Sequence, residues 1–378
     1  MSRRDLLTGY DVVIVGAGIV GCAAALECAR AGLRVGIVER GVVGGATTAA
    51  GMGHVVVMDD SPAQMALTVY SRRLWLEMEE ALPAATEYES RGTLWVAADA
   101  EEMAEVHAKR ERYAQAGVGS EVLDAQALAE AEPFLRRDLV GALLVPEDGV
   151  VYPPSAAAYF LAEAQRLGAV LHAGLEVSAC GEGRVAFSDG SVMRCGMILL
   201  ASGASIRLLP WLPIHKRKGH LLITDRYPGV VQHQLVELGY LASAHKLTED
   251  SVAFNVQPRQ TGQLLIGSSR QYAEEDTRVD AAILRRMLER AIEYIPSLAH
   301  LSGIRVWTGF RAATPDKLPL IGPTEDRTLF VAMGFEGLGI TNAPGAARLV
   351  VDAMLGRAAE IDAAPYLPSR VPREAMHA

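Results

Sequence analysis

Three glycines and one acid near the amino terminus are of the types, and at the spacing, to handle a dinucleotide. Gly16, Gly18 and Gly21 stand as G-x-G-x-x-G, with Ala17, Ile19 and Val20 between them, and Glu39 follows the third glycine by eighteen positions. The first glycine permits a tight turn, the second lets backbone approach a pyrophosphate, and the third lets a helix close on its strand. Glu39 would accept hydrogen bonds from ribose hydroxyls and repel a 2′-phosphate. A later triplet, Ala201, Ser202 and Gly203, ends an apolar run and would add backbone amides beside the same phosphates.

The elements around these residues have to form a strand, a helix and a second strand. Val12 to Val15 is a β-branched run of the kind buried on both faces, Cys22 to Arg30 is helical up to Gly32, and Arg34 to Val38 delivers Glu39 at its end. The helix's positive amino end then faces the phosphates. Gly41 to His54 is dense in Gly, Ala and Thr, which suits backbone lying against a ligand, and it contains Thr47, Thr48, Gly51 and Met52. Ser61 and Pro62 open a helix running to Leu82.

From residue 91 the texture changes. GTLWVA reads as a strand, Asp99 to Ala116 and Asp124 to Ala131 as helices, and Gly141 to Val151 as a strand broken by a turn. A helix over Pro154 to Leu167, a strand into Glu176 and Val177, a hairpin at Ser188 to Ser191 and the strand Met197 to Gly203 return to the first layer. Lys218 to Thr224, Val252 to Val256 and Gln263 to Ser268 then read as strands, followed by an amphipathic helix from Asp280 to Tyr294. After RVWTGFRAATPDKLPLIGP come a strand, Leu329 to Met333, the turn GFEGLGIT and a helix from Ala343 to Leu355. The fold class expected is α/β: a Rossmann-like dinucleotide-binding domain with an inserted α+β substrate domain on a mainly antiparallel sheet. The expected segments are 1–87, 147–215 and 305–378 for the nucleotide domain, and 88–146 and 216–304 for the insertion.

Composition narrows the function. A chain of 378 residues favours two domains, and a net charge of −9 without a long basic run argues against a nucleic-acid surface. Cys22, Cys28, Cys180 and Cys195 form no C-x-x-C pair and read as buried small hydrophobes in a reducing compartment, so no metal site is expected. The basic stretch at His215 to His220 is short enough to be a strand entrance. The start MSRRDLL is followed by the dinucleotide strand itself, so a signal peptide is not expected, and no run of about eighteen apolar residues would span a membrane. The setting expected is cytoplasmic.

With these motifs in order, the chain resembles the D-amino acid oxidase family of FAD-dependent amine oxidoreductases, most closely its glycine oxidase and D-hydroxyproline dehydrogenase β-subunit types. The carriers are VVIVGAGIVG with Glu39, TTAAGM at Thr47 to Met52, Ala201 to Gly203, GFRAATPDKLPLIG at Gly309 to Gly322, and GFEGLGIT at Gly334 to Thr341. The resemblance implies an FAD-binding domain of the glutathione reductase type, with FAD lying along Gly16 to Gly21, Glu39, Arg40, Thr47, Thr48, Gly51 and Met52, and Val177 near the adenine. It sets Gly337, Leu338, Gly339, Ile340 and Thr341 at the pyrimidine end of the flavin. Gly309 stands where sarcosine oxidases carry a flavin-linking cysteine, so FAD is expected without a covalent bond.

By the same resemblance Arg311 clamps the substrate carboxylate, a task suited to a planar guanidinium fork; the alternative is a local pair with Asp316. The last glycine-rich loop holds Glu336 where glycine oxidase has a second arginine, and Glu336 either attracts the substrate amine or is a solvated turn acid. His54, Tyr240 and His220 are further candidates to line the site or to be ordinary structural residues. The implied reaction is hydride transfer from Cα of a small D-amino or imino acid to flavin N5, with D-proline or cis-4-hydroxy-D-proline foremost. Glycine or sarcosine oxidation and a non-catalytic flavin-carrying subunit are the alternatives. Partner subunits that accept electrons, with peripheral membrane attachment through them, belong to the first reading.

Overall fold

A computed structural model describes residues 8–239, 250–272 and 276–371; the candidate Tyr240 lies outside them. The first strand, Thr8–Val15, is central to an eight-stranded sheet and runs parallel to Val35–Glu39 on one side and Val192–Leu200 on the other. Val12, Val13 and Ile14 are wholly buried, as a strand covered on both faces requires. Leu329–Met333 and Val170–Ala173 extend the parallel core, and Leu320–Pro323 joins antiparallel at the edge. The carboxyl ends of the central strands are tied together: Gly16 N–H donates to Val38 O at 2.8 Å and Ala201 N–H to Val15 O at 2.9 Å.

The helix Ile19–Arg30 leaves that edge and packs by its buried alanines against Pro153–Arg166 and Gly339–Leu355. The last helix begins four residues earlier than its sequence suggests and carries Pro344 inside. Proline offers no N–H to the Ile340 carbonyl, and the buried Trp75 indole supplies one at 3.3 Å, with a second contact to Thr341 O at 3.0 Å. Trp75 sits on the helix Pro62–Met78, whose cap is Ser61, accepting from Gln64 N–H at 3.1 Å.

The second sheet has eight strands in the order Gly303–Ala313, His215–Arg226, Gln263–Arg270, Ser251–Pro258, Gln234–Glu237, Thr93–Ala97, Gly141–Val145, Glu121–Asp124. It is antiparallel except where Gln234–Glu237 lies parallel to Thr93–Ala97. The strand Gly303–Ala313 crosses the expected division at residue 305 unbroken, because ten register pairs with His215–Arg226 hold it in the second sheet to Ala313. The helix Ala281–Tyr294, capped by Asp280, covers one face and stacks Tyr294 on Phe254. Cys22 and Cys28 are buried as expected, whereas Cys180, on the outlying strand Val177–Gly181, and Cys195, in the first half of Val192–Leu200, are only half-buried; all four thiols are free of disulfides.

Candidate functional site

The carboxyl edge of the first sheet meets one face of the second across an open cleft. On the first side the glycine turn is dictated by space. Gly16 has φ +108, and a Cβ there would lie 2.6 Å from Ala201 O; at Gly21 it would lie 2.0 Å from Gly16 O. No side chain fits either position. Glu39 is fixed beside the turn, its Oε2 accepting from Ala17 N–H at 2.8 Å and its Oε1 from Gly41 N–H at 2.7 Å. Each carboxylate oxygen has a second lone pair for a hydroxyl.

The segment 47–54 bridges the two sheets. Thr48 Oγ1 accepts from Ile19 N–H at 3.1 Å and so caps the first helix from outside it. Thr47 Oγ1 donates to Phe310 O at 3.0 Å, while Ala50 O accepts from Trp307 and Met52 O from Gln257. Gly309 allows this approach, since its Cβ would meet Ala50 Cβ at 2.4 Å. Thr47, Thr48, Gly51, Met52, Gly18, Ile19, Val20, Ala201, Gly203, Gly309 and Gly337 to Ile340 all line the cleft.

Other expected residues sit behind that lining. Ala17 and Gly21 are backbone of the turn, Ser202 donates to Ser205 O, and Thr341 is wholly buried, donating to His54 O and accepting from Val56 N–H. Arg40 is exposed and pairs with Glu176 at 3.5 Å, next to the buried Val177.

Arg311 lies in the cleft, donating through Nη1 to Ser269 O at 2.8 Å. The alternative pairing with Asp316 is overturned: that carboxylate is gripped by Arg370 at 2.7 Å. Gly219 is opposite Gly309 and two residues from Arg217, and a Cβ there would lie 2.7 Å from Arg311 Nη1, so the missing side chain is what lets the arginine lie across the sheet.

Glu336 is not a solvated turn acid. Its side chain is 11% exposed and Oε1 accepts from Arg217 at 3.0 Å. Its φ of +52 is held by a backbone bond from Glu336 N–H to Ala312 O at 2.8 Å. Arg217, directly opposite Arg311 on the neighbouring strand, was missed because the basic stretch reads as a strand entrance; only its alternation with Gly219 hinted that it faces inward.

His54 lines the cleft, half-buried near Arg311, and burial first, then the guanidinium, pull its pKa down to about 4. It is a neutral imidazole whose Nε2 faces no partner among the described residues. His220 lines the cleft with its ring tied into the frame: its Nε2 accepts from Asp280 N–H at 2.9 Å, so Nδ1 carries the proton and donates to Ser269 Oγ at 3.0 Å. Burial, aided by Lys218, lowers its pKa too. Among the described residues no cluster could hold a metal ion and no helix is long and apolar enough to cross a membrane.

The DAO family, FAD dependent oxidoreductases, matches residues 11–353. The glycine oxidase of Pseudomonas aeruginosa is 30% identical over 385 residues, covering 95% of this chain and 98% of that protein. The crystal structure of glycine oxidase from Geobacillus kaustophilus aligns with a TM-score of 0.86 at 27% identity over 96% of this chain and 99% of that one. That of L-proline dehydrogenase from P. horikoshii gives 0.86 at 24% identity over 96% and 98%, a likeness of fold.

Proposed function

We propose that this chain, which belongs to the DAO family of FAD-dependent oxidoreductases, oxidises the Cα–N bond of a small amino or imino acid to the imine. A cyclic D-imino acid, D-proline or cis-4-hydroxy-D-proline, is the first choice of substrate. Glycine or sarcosine is the second, favoured by the similarity to glycine oxidases. The observation that carries the reading is Arg311, a guanidinium laid into the cleft between the Ser269 carbonyl and the Gly337 turn. It is also the reason to prefer an enzyme over a flavin-carrying subunit without a substrate site.

The residues present fit FAD. A glycine turn that excludes every side chain, a carboxylate with lone pairs to spare at the second strand's end, and a helix amino terminus at Gly337 to Ile340 are what an extended dinucleotide asks for. Gly16 to Gly21 with Thr48 would hold the pyrophosphate side, Glu39 the ribose, and Thr47 to Met52 with Gly309 and Gly337 to Ile340 the ring, without a covalent bond. When bound, FAD supplies the hydride acceptor. Arg311 grips the substrate carboxylate through charge-assisted hydrogen bonds and so orients Cα. Neutral His54 gives that end of the cleft polarity without adding a cation beside the guanidinium. The helix terminus stabilises negative charge near it.

The same proposal divides the chain into a nucleotide domain (1–87, 147–215 and the chain from 314) and a substrate domain between them. It also includes a cytoplasmic setting and electron-accepting partner subunits. The test is anaerobic mixing of the yellow protein with D-proline, cis-4-hydroxy-D-proline, sarcosine, glycine and D-alanine, with Arg311→Ala as control. Flavin bleaching that the variant lacks supports the clamp; bleaching by none of them favours the non-catalytic subunit.

A further inference from the structure

Beyond the arginines, the cleft continues over the middle of the second sheet, where its lining changes character. Gln64, Trp95, Gln234, Asn255 and Ser268 face it, and each is at most 6% exposed. Each also has a buried polar atom with no hydrogen-bond partner among the described residues: Gln64 Oε1, Trp95 Nε1, Gln234 Oε1, Asn255 Oδ1 and Ser268 Oγ. A single orphan of this sort costs on the order of 1–3 kcal/mol, so five along one wall are not a packing accident. They come from the helix Pro62–Met78 and four successive strands, which makes the row a built feature of the sheet.

We propose that this row is a subsite for the substrate side chain, and that the substrate carries a hydrogen-bonding group, a hydroxyl or carboxamide, beyond its Cα. The inference rests on the amine-oxidation reading above. Reach supports it: Arg311 already stretches to the Ser269 carbonyl, Ser268 is the next residue, and the strand carrying Asn255 lies one step further, roughly 5 Å. A carboxylate held at Arg311 therefore leaves a side-chain group within range of Ser268 and Asn255, with Gln234 and Trp95 beyond for longer ones. None of the five is ionisable, although Arg270, two residues from Ser268 on the same strand, also lines this part of the cleft. The row offers three amide oxygens, one indole N–H and a hydroxyl that can act either way, which suits a group that both donates and accepts. An alkyl side chain would strand all of them, and glycine would leave them to water.

The test compares pairs matched in carboxylate and amine but not in side chain: cis-4-hydroxy-D-proline against D-proline, and D-glutamine against D-norleucine, each reducing the flavin anaerobically. The polar member of at least one pair is expected to reduce it with a limiting rate over dissociation constant about 10- to 100-fold higher. Asn255→Leu is expected to bring that ratio toward one. Ratios near one in both pairs of the wild type, or a preference that survives Asn255→Leu, overturn the subsite and leave amine oxidation standing. Bleaching by none of the four while glycine or sarcosine still bleaches the flavin overturns the subsite alone; bleaching by none of these six contradicts amine oxidation itself, and the subsite falls with it.

Discussion

The two sheets that face each other across the cleft use opposite means. The parallel sheet presents backbone: a turn at Gly16, amides beside Ala201, and a helix terminus after Gly337, with side chains excluded where a Cβ would collide at 2.0–2.6 Å. The antiparallel sheet presents side chains, from Arg311 and Arg217 at one edge to Asn255 and Trp95 in the middle. A backbone site recognises what every dinucleotide shares, while a side-chain site recognises what distinguishes one small acid from another. Cofactor and substrate specificity should therefore be separable by mutation.

The largest expected effect comes from damaging the backbone side. Gly21→Val drives a side chain into the Gly16 carbonyl, at a cost on the order of 4 kcal/mol or more, and should give colourless or insoluble protein. A yellow, soluble variant would dissolve the distinction between the sheets. Next is Arg311→Ala, expected to retain FAD while losing about 10²- to 10³-fold in kcat/KM for any carboxylate substrate. Loss of colour together with activity would mean the two sites are not separable.

A third effect concerns pH. The pKa of His54 is depressed in the folded protein, to about 4 against an ordinary 6.5, so the stability gained by keeping it neutral is complete above pH 6.5 and is withdrawn as pH falls toward 4. The withdrawal amounts to about 3 kcal/mol. Buried Asp148 has its pKa raised to about 6 and works in the opposite sense, its contribution being lost as pH rises through that value. Denaturant melts of wild type and His54→Gln across this range isolate the histidine: the gap between them should shrink on acidification. The smallest effect is expected from Arg217→Met, which leaves Glu336 without its cation. A loss of about 2 kcal/mol, tempered by the pair's slight exposure, should appear as a lower denaturation midpoint.

The same contrast explains what the sequence made legible. Glycine spacing and caps are local, so the turn at Gly16 to Gly21, the strand before it, and the helices begun by Ser61, Asp99, Asp124 and Asp280 could be read directly. The start of the last helix was misjudged because Pro344 looks like a boundary until Trp75, 269 positions away, supplies the missing donor. Gln234–Glu237 is four residues long and gains its strand character from pairing with Thr93–Ala97. Arg217 and the polar row lack any local signature, since their meaning arises only when strands from distant parts of the chain are laid side by side.

The most direct measurement is a crystal structure of the FAD-loaded protein with a small carboxylate ligand such as D-proline or an unreactive analogue. The carboxylate is expected within hydrogen-bond distance of the Arg311 guanidinium, with Cα facing the ring between the two sheets. A ligand bound elsewhere, or Arg311 turned out of the cleft toward solvent, would contradict the account.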